Sequence, residues 1–174
     1  MIKEITSLQK LEEVCEDWMS SSSEKHLSSI SPPSIGRFNK ESVRSFLSLM
    51  LKDTISKGEI LPYIKIWSYE ELGSSVGGCC FVAEKDPLTG LKIFQEFMWQ
   101  TKGSLAESLK EKKIMLKLLK NAEIYAKNSG LDVLVLGRDP SFHKINKDNE
   151  LHIENYYTRN NFSVCQLTYA KKLK

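Results

Sequence analysis

The chain has 174 residues, a formal net charge of +3, 41% hydrophobic and 27% charged residues. That length predicts one domain, 1–174, able to bury about two thirds of its unfolded surface without a metal or disulfide staple. No apolar run approaches the roughly 18 residues of a membrane span, and the alternating charge of the N-terminus does not read as a signal peptide, so no membrane partner and a cytoplasmic location are expected. Arginine stands only at Arg37, Arg44, Arg138 and Arg159. With so few bidentate forks and with scattered lysines, no nucleic-acid partner is expected. Cys15, Cys79, Cys80 and Cys165 form no C-x-x-C pair and lie far from His26, His143 and His152. They read as reduced, buried thiols rather than a metal site, and the adjacent Cys79 and Cys80 should point to opposite faces of a strand.

In chain order, Ile2 to Ile5 alternates as a short strand. Leu8, Leu11, Val14, Cys15, Trp18 and Met19 recur at helical spacing, predicting a helix over 7–20. The serine run at 20–23 and the Ser31-Pro32-Pro33-Ser34-Ile35-Gly36 stretch make a long loop. Asn39 then caps a second helix, striped by Val43, Phe46, Leu47, Met50, Leu51 and Ile55 and ended by Gly58. Three β-branched and aromatic runs, 60–69, 74–84 and 91–100, predict an antiparallel meander with a turn at Asp86–Gly90. The pair Gly77-Gly78 marks a bulge or close approach within the second of these strands. A long helix carries Met115, Leu118, Leu119, Ala122, Tyr125 and Ala126 on one face and stops at Asn128-Ser129-Gly130. The apolar run 131–136 suits a buried strand. A polar loop over 137–148, a short helix over 151–159 and a last strand over 162–172 complete the order β-α-α-β-β-β-α-β-α-β. This predicts a mixed, mostly antiparallel central sheet with helices on both faces, an α/β (α+β mixed) fold.

That order resembles the GNAT (Gcn5-related N-acetyltransferase) superfamily over nearly the whole chain. Two segments carry the resemblance. Leu118-Leu119-Lys-Asn-Ala-Glu-Ile-Tyr125-Ala126-Lys-Asn-Ser-Gly130-Leu-Asp-Val-Leu-Val-Leu136 looks like the family's central helix, its terminal glycine and the following strand. Tyr156-Tyr157-Thr-Arg-Asn-Asn161-Phe162 is similar to its Y-x-x-x-G-F turn, with asparagine in the glycine position. The resemblance implies acetyl-CoA as cofactor and an amine as acceptor. It also implies Tyr157 as the acid that protonates the departing thiolate and Glu96 as the base for the amine. Trp99, Gln100 and Thr101 would flank a strand bulge whose N–H polarises the thioester carbonyl.

The family's phosphate loop falls on Lys110-Glu-Lys-Lys113-Ile-Met115, where its glycine positions hold Lys113 and Met115. Two successive S-x-x-E capping boxes, Ser104/Glu107 and Ser108/Glu111, predict that helix already covers this segment. Amides inside a helix are spent on intrahelical bonds, which leaves Lys110, Lys112 and Lys113 to attract phosphate by charge alone. Two functions are therefore open. One is an N-acetyltransferase with a degenerate phosphate grip. The other is a GNAT-fold protein that has lost the reaction and acts as a structural or binding component with a protein assembly partner. The abundance of lysine, serine and asparagine suits an AT-rich genome, and GNAT-like proteins with poor phosphate loops occur in tailed phages, so the second reading includes a virion component.

Overall fold

The structure is a computed structural model that describes residues 1–21, 40–101, 109–136, 159, 162 and 163; for 19–21, 40, 99–101 and 109–112 it describes the backbone. The chain divides into two units, Met1–Ser23 with Asn39–Gly137, and Glu24–Phe38 with Arg138–Lys174. Nearly all described residues belong to the first unit. The short helix and last strand expected beyond 150 lie outside the described residues, apart from Arg159, Phe162 and Ser163.

The elements of the first unit are β1 (Ile2–Glu4), α1 (Leu8–Ser21), α2 (Lys40–Lys57), β2 (Tyr63–Glu71), β3 (Ser74–Lys85), β4 (Lys92–Thr101), α3 (Leu109–Asn128) and β5 (Val133–Val135). They keep the order read from the sequence, with boundaries moved by one to three residues. The strands form one sheet in sequence order, β1-β2-β3-β4-β5. The first four are antiparallel neighbours, and β5 joins β4 in parallel, with Ile93 opposite Val133 and Gln95 opposite Val135. A parallel partner requires a crossover rather than a tight turn, and α3 is that crossover.

Both sheet faces are covered, which explains why the middle strands read as continuous apolar runs. On one face, Tyr63, Trp67, Cys79, Phe81, Ala83 and Phe94 pack under Ile114, Leu118, Ala122 and Ala126 of α3. Their rings interlock: Phe81 stacks on Phe94 at 4.8 Å, and Trp67 meets Tyr125 edge-on at 5.4 Å. Such aromatic pairs contribute about 0.5–1.5 kcal/mol each beyond their area. Strand alternation sends Ile64, Ile66 and Cys80 to the other face, where α1 and α2 supply Leu11, Val14, Trp18, Leu47 and Leu51, all buried. Cys79 and Cys80 do point opposite ways, and burial raises both thiols well above the ordinary range.

Local chemistry fixes the connections. α3 ends with Gly130 at φ +65°, while the Leu131 N–H donates to the Ala126 carbonyl at 3.0 Å, a Schellman closure that only the left-handed glycine permits cheaply. The Asp86 carboxylate accepts from the Leu88 and Thr89 amides at 2.8 and 3.4 Å, forming the turn between β3 and β4. The Asp132 carboxylate accepts from the Lys92 amide, and the Asp132 amide returns a bond to the Lys92 carbonyl, both at 2.8 Å, which sets the β4–β5 register.

Candidate functional site

The β4 strand carries an irregularity in its pairing with β3. Glu96 pairs with Phe81 and Met98 with Cys80, so Phe97 is an extra residue facing no partner on β3. A bulge of this kind leaves the inserted residue outside the ladder and re-aims the side chains around it. Glu96 lies opposite Phe81 and so shares the α3 face. Phe97 stacks on Phe46 of α2 at 4.5 Å, and Met98 lies opposite Cys80, so two consecutive residues face α1 and α2. Beyond the bulge, Trp99, Gln100 and Thr101 pair with Cys79, Gly78 and Gly77. The parallel pairing with β5 ends at Gln95 and Val135 among the described residues, whereas β4 continues to Thr101. The last six residues of the strand, with the bulge among them, therefore extend beyond the described β5 pairing.

A second bulge lies next door. Tyr69 pairs with Gly77 and Glu70 with Ser75, so Val76 is extra on β3. Close approach also occurs here. A Cβ on Gly78 would stand 2.1 Å from Cζ2 of Trp18 and 2.6 Å from the Trp67 carbonyl oxygen. Both readings of the glycine pair, bulge and close approach, thus apply.

Of the residues singled out in the sequence, Glu96 is half-buried on β4 and near enough to Cys79 to contribute to raising that thiol. Trp99, Gln100 and Thr101 come two to four residues after the bulge. Lys110, Lys112 and Lys113 lie in the first turns of α3, with Lys113 exposed. Tyr156, Tyr157 and Asn161 lie outside the described residues. Lys113 and Met115 stand where the helix is regular, so the Lys113 amide is bonded back to the Leu109 carbonyl and the Met115 amide to that of Glu111. The residues present therefore fit an anion by charge, through three lysines near a helix N-terminus, and not through free amides at 113 and 115.

Sequence reasoning missed Phe97, because neighbouring strands give no sign of where an extra residue will be accommodated. It also missed a polar cluster on the same sheet face, around Lys65, which pairs with Phe81 as Glu96 does from the other side. Lys65 is buried on β2, and its ammonium sits 2.5 Å from both Glu4 and Glu59 and 5.0 Å above the Tyr125 ring. Burial works against that charge, but the two carboxylates outweigh it and raise the Lys65 pKa. Burial likewise pushes Glu59 up, and bonds from Lys65 and Tyr125 reverse this and hold its carboxyl below the ordinary range. An exposed-looking lysine in a strand gives no warning of such a network. Among the described residues, no cluster of histidine, cysteine or carboxylate side chains suits a metal ion, and no helix is long and apolar enough to cross a membrane.

No family model and no curated protein sequence matches the chain. Solved structures do. An aminoglycoside acetyltransferase, HMB0005, from an uncultured soil metagenomic sample superposes with a TM-score of 0.61 at 11% identity, over 100% of this chain and 98% of its own. A GCN5-related N-acetyltransferase from Ralstonia eutropha JMP134 gives 0.57 at 15% identity, covering 98% of this chain and 96% of its own. AAC(6')-Iy, in complex with the bisubstrate analog CoA-S-monomethyl-acetylneamine, gives 0.57 at 10% identity, over 98% of this chain and 97% of its own. At these identities the likeness shows the fold, and the fold is that of the GNAT acyltransferases.

Proposed function

We propose that this chain transfers an acetyl group from acetyl-CoA to an amine, with Glu96 accepting the amine proton and the pyrophosphate held loosely by lysine side chains. The observation that carries the reading is the bulge at Phe97, set on the part of β4 that outruns its described parallel partner. An inserted residue takes its backbone groups out of the ladder with β3, in the middle of the strand. Bound acetyl-CoA would supply the activated acyl carbon. Glu96 stands next in sequence to the bulge, half-buried on the sheet face that α3 covers, and is the proposed base. Lys110, Lys112 and Lys113 supply positive charge at the N-terminal end of α3 and would draw phosphates there. Tyr157 is the proposed acid, by its place in the sequence. That neighbours of the same fold act on aminoglycosides or carry a CoA conjugate supports an amine acceptor and this cofactor.

One observation favours a second reading. Regular helix through Lys113 and Met115 withholds the amides that would form a preorganised cradle, and side-chain charge alone is screened by salt. On that reading the fold is kept and the reaction lost, leaving a binding or structural component, a phage virion protein among the options. A single experiment separates the two. Acetyl-CoA is titrated calorimetrically at physiological salt, and thiol release is followed with a panel of amines. We expect a dissociation constant in the high micromolar range, about −4 to −5.5 kcal/mol, lost in Lys112→Glu/Lys113→Glu, with turnover falling about 10²-fold in Glu96→Gln. Absence of both binding and thiol release would leave the non-catalytic reading standing.

A further inference from the structure

At the end of the sheet opposite the Phe97 bulge, an open cavity of about 240 Å³ is lined by Glu59, Leu61, Tyr63, Lys92, Ser129 and Leu131. Its walls carry opposite charges. Tyr63 opens β2 and Glu59 precedes that strand, Lys92 opens β4, and β3 runs between the two strands. Strands lie about 4.8 Å apart, so the two sides stand roughly 10 Å apart at the backbone.

The Glu59 side is left short of hydrogen-bond donors. Glu4, Glu59 and Lys65 together hold two carboxylates and one ammonium, a net formal charge of −1. A carboxylate offers about four lone-pair sites, and among the described residues two bonds to Glu59 are in place, from Lys65 and from the Tyr125 hydroxyl at 2.7 Å. The Tyr125 and Tyr63 hydroxyls are 3.0 Å apart. The Tyr125 hydroxyl is placed to donate to either, with its shorter contact to Glu59, so both Glu59 and the Tyr63 oxygen face it as acceptors. The wall therefore offers a carboxylate and a phenol oxygen as acceptors, while Lys92 across the cavity offers three donors and a positive charge, and Leu61 and Leu131 supply apolar surface.

We propose that this cavity binds a small zwitterion, an amino-carboxylate whose ammonium meets Glu59 and Tyr63 and whose carboxylate meets Lys92. The roughly 10 Å between the walls favours an extended ω-amino acid over an α-amino acid, in which both charges sit on one carbon. The site is independent of the acetyl-transfer reading, since it uses none of the residues assigned there.

The test is ligand-observed NMR titration of the full chain with 6-aminohexanoate, with hexylamine and hexanoate as single-charge controls. The expected result is saturable binding at a Kd on the order of 1 mM, with each control at least tenfold weaker. Lys92→Met should weaken the zwitterion tenfold or more and leave hexylamine unchanged. Glu59→Gln should weaken both amines. Lys92 is exposed and outside the ion triad, so its variant reports even if the Glu59 variant folds poorly. No saturation by about 50 mM, equal binding of zwitterion and hexylamine, or unchanged affinity in Lys92→Met would each overturn the assignment.

Discussion

Gly78→Ala is a one-methyl change with a large expected cost. The new Cβ would meet the Trp18 ring at 2.1 and 2.9 Å and the Trp67 carbonyl oxygen at 2.6 Å. The indole cannot slide freely, because its Nε1–H donates to Ser75 Oγ at 2.9 Å and Ser75 Oγ is in turn 2.7 Å from Ser68 Oγ. Nor can the carbonyl retreat, since Ser68 is paired with Gly78 across the ladder. Overpacking costs about 1–3 kcal/mol when neighbours can adjust, and losing a tryptophan from the core costs about 3–5 kcal/mol. The expected loss is therefore about 3 kcal/mol, or about 6–12 °C in Tm at 2–4 °C per kcal/mol for a chain of this size. Urea unfolding followed by circular dichroism measures it. The cause is checked in a Trp18→Leu background, where the same glycine change should cost at least about 1 kcal/mol less because the ring is gone. A loss below about 1 kcal/mol, or equal losses in both backgrounds, would refute the steric argument.

Two further outcomes are expected. The β2–β3 hairpin turns through Leu72 at φ +49° and Gly73 at φ +85°, with Leu72 fully exposed; a left-handed residue with a Cβ costs roughly 1–2 kcal/mol. Asparagine suits the first position of such a turn, so Leu72→Asn should raise stability by about 1 kcal/mol in the same denaturation assay, and an unchanged or lowered midpoint would argue against strain there. At Glu70, hydrogen bonding from Lys3 at 2.6 Å lowers the carboxyl pKa against the effect of burial, with Lys10 at 3.2 Å adding to the shift. In acid the unfolded chain takes that proton first, so the contribution is whole above pH about 4.3 and disappears as pH falls through the lower folded value. Glu70→Gln should accordingly be less stable than the parent at pH 7 and lose less Tm between pH 6 and pH 3; parallel profiles would exclude the linkage.

Much of the fold was legible because its signals are local. Helical spacing from Leu8 to Trp18, the Asp86–Gly90 turn and the glycine after Ser129 each act within a few residues, and their order names the topology. The parallel placement of β5 was legible too, since a helix between two strands forces a crossover. Boundaries were less legible: β5 shrinks to Val133–Val135 because strand length is set by partners, not by the apolar run alone. Met115, expected on the buried face of α3, is only partly covered, since the core stripe runs through Ile114, Leu118, Ala122 and Ala126 instead.

Sequence nominated candidate residues without their geometry. Glu96 could be named from its place in β4, but the strand's alternation alone would have put Glu96 and Met98 on one face. The bulge breaks that rule, sending Glu96 to the α3 side and both Phe97 and Met98 to the other. Register against β3 decides this, and register is a property of two strands, so no reading of β4 in isolation could find it. The same holds for Lys65. As a lone residue in a strand it reads as solvent-facing, and only the convergence of Glu4, 61 positions earlier in the chain, with Glu59 and Tyr125 makes its burial tolerable. The surroundings of Glu59 are built by distant segments, so sequence could nominate Glu96 as a candidate yet gave no hint of the cavity beside Glu59.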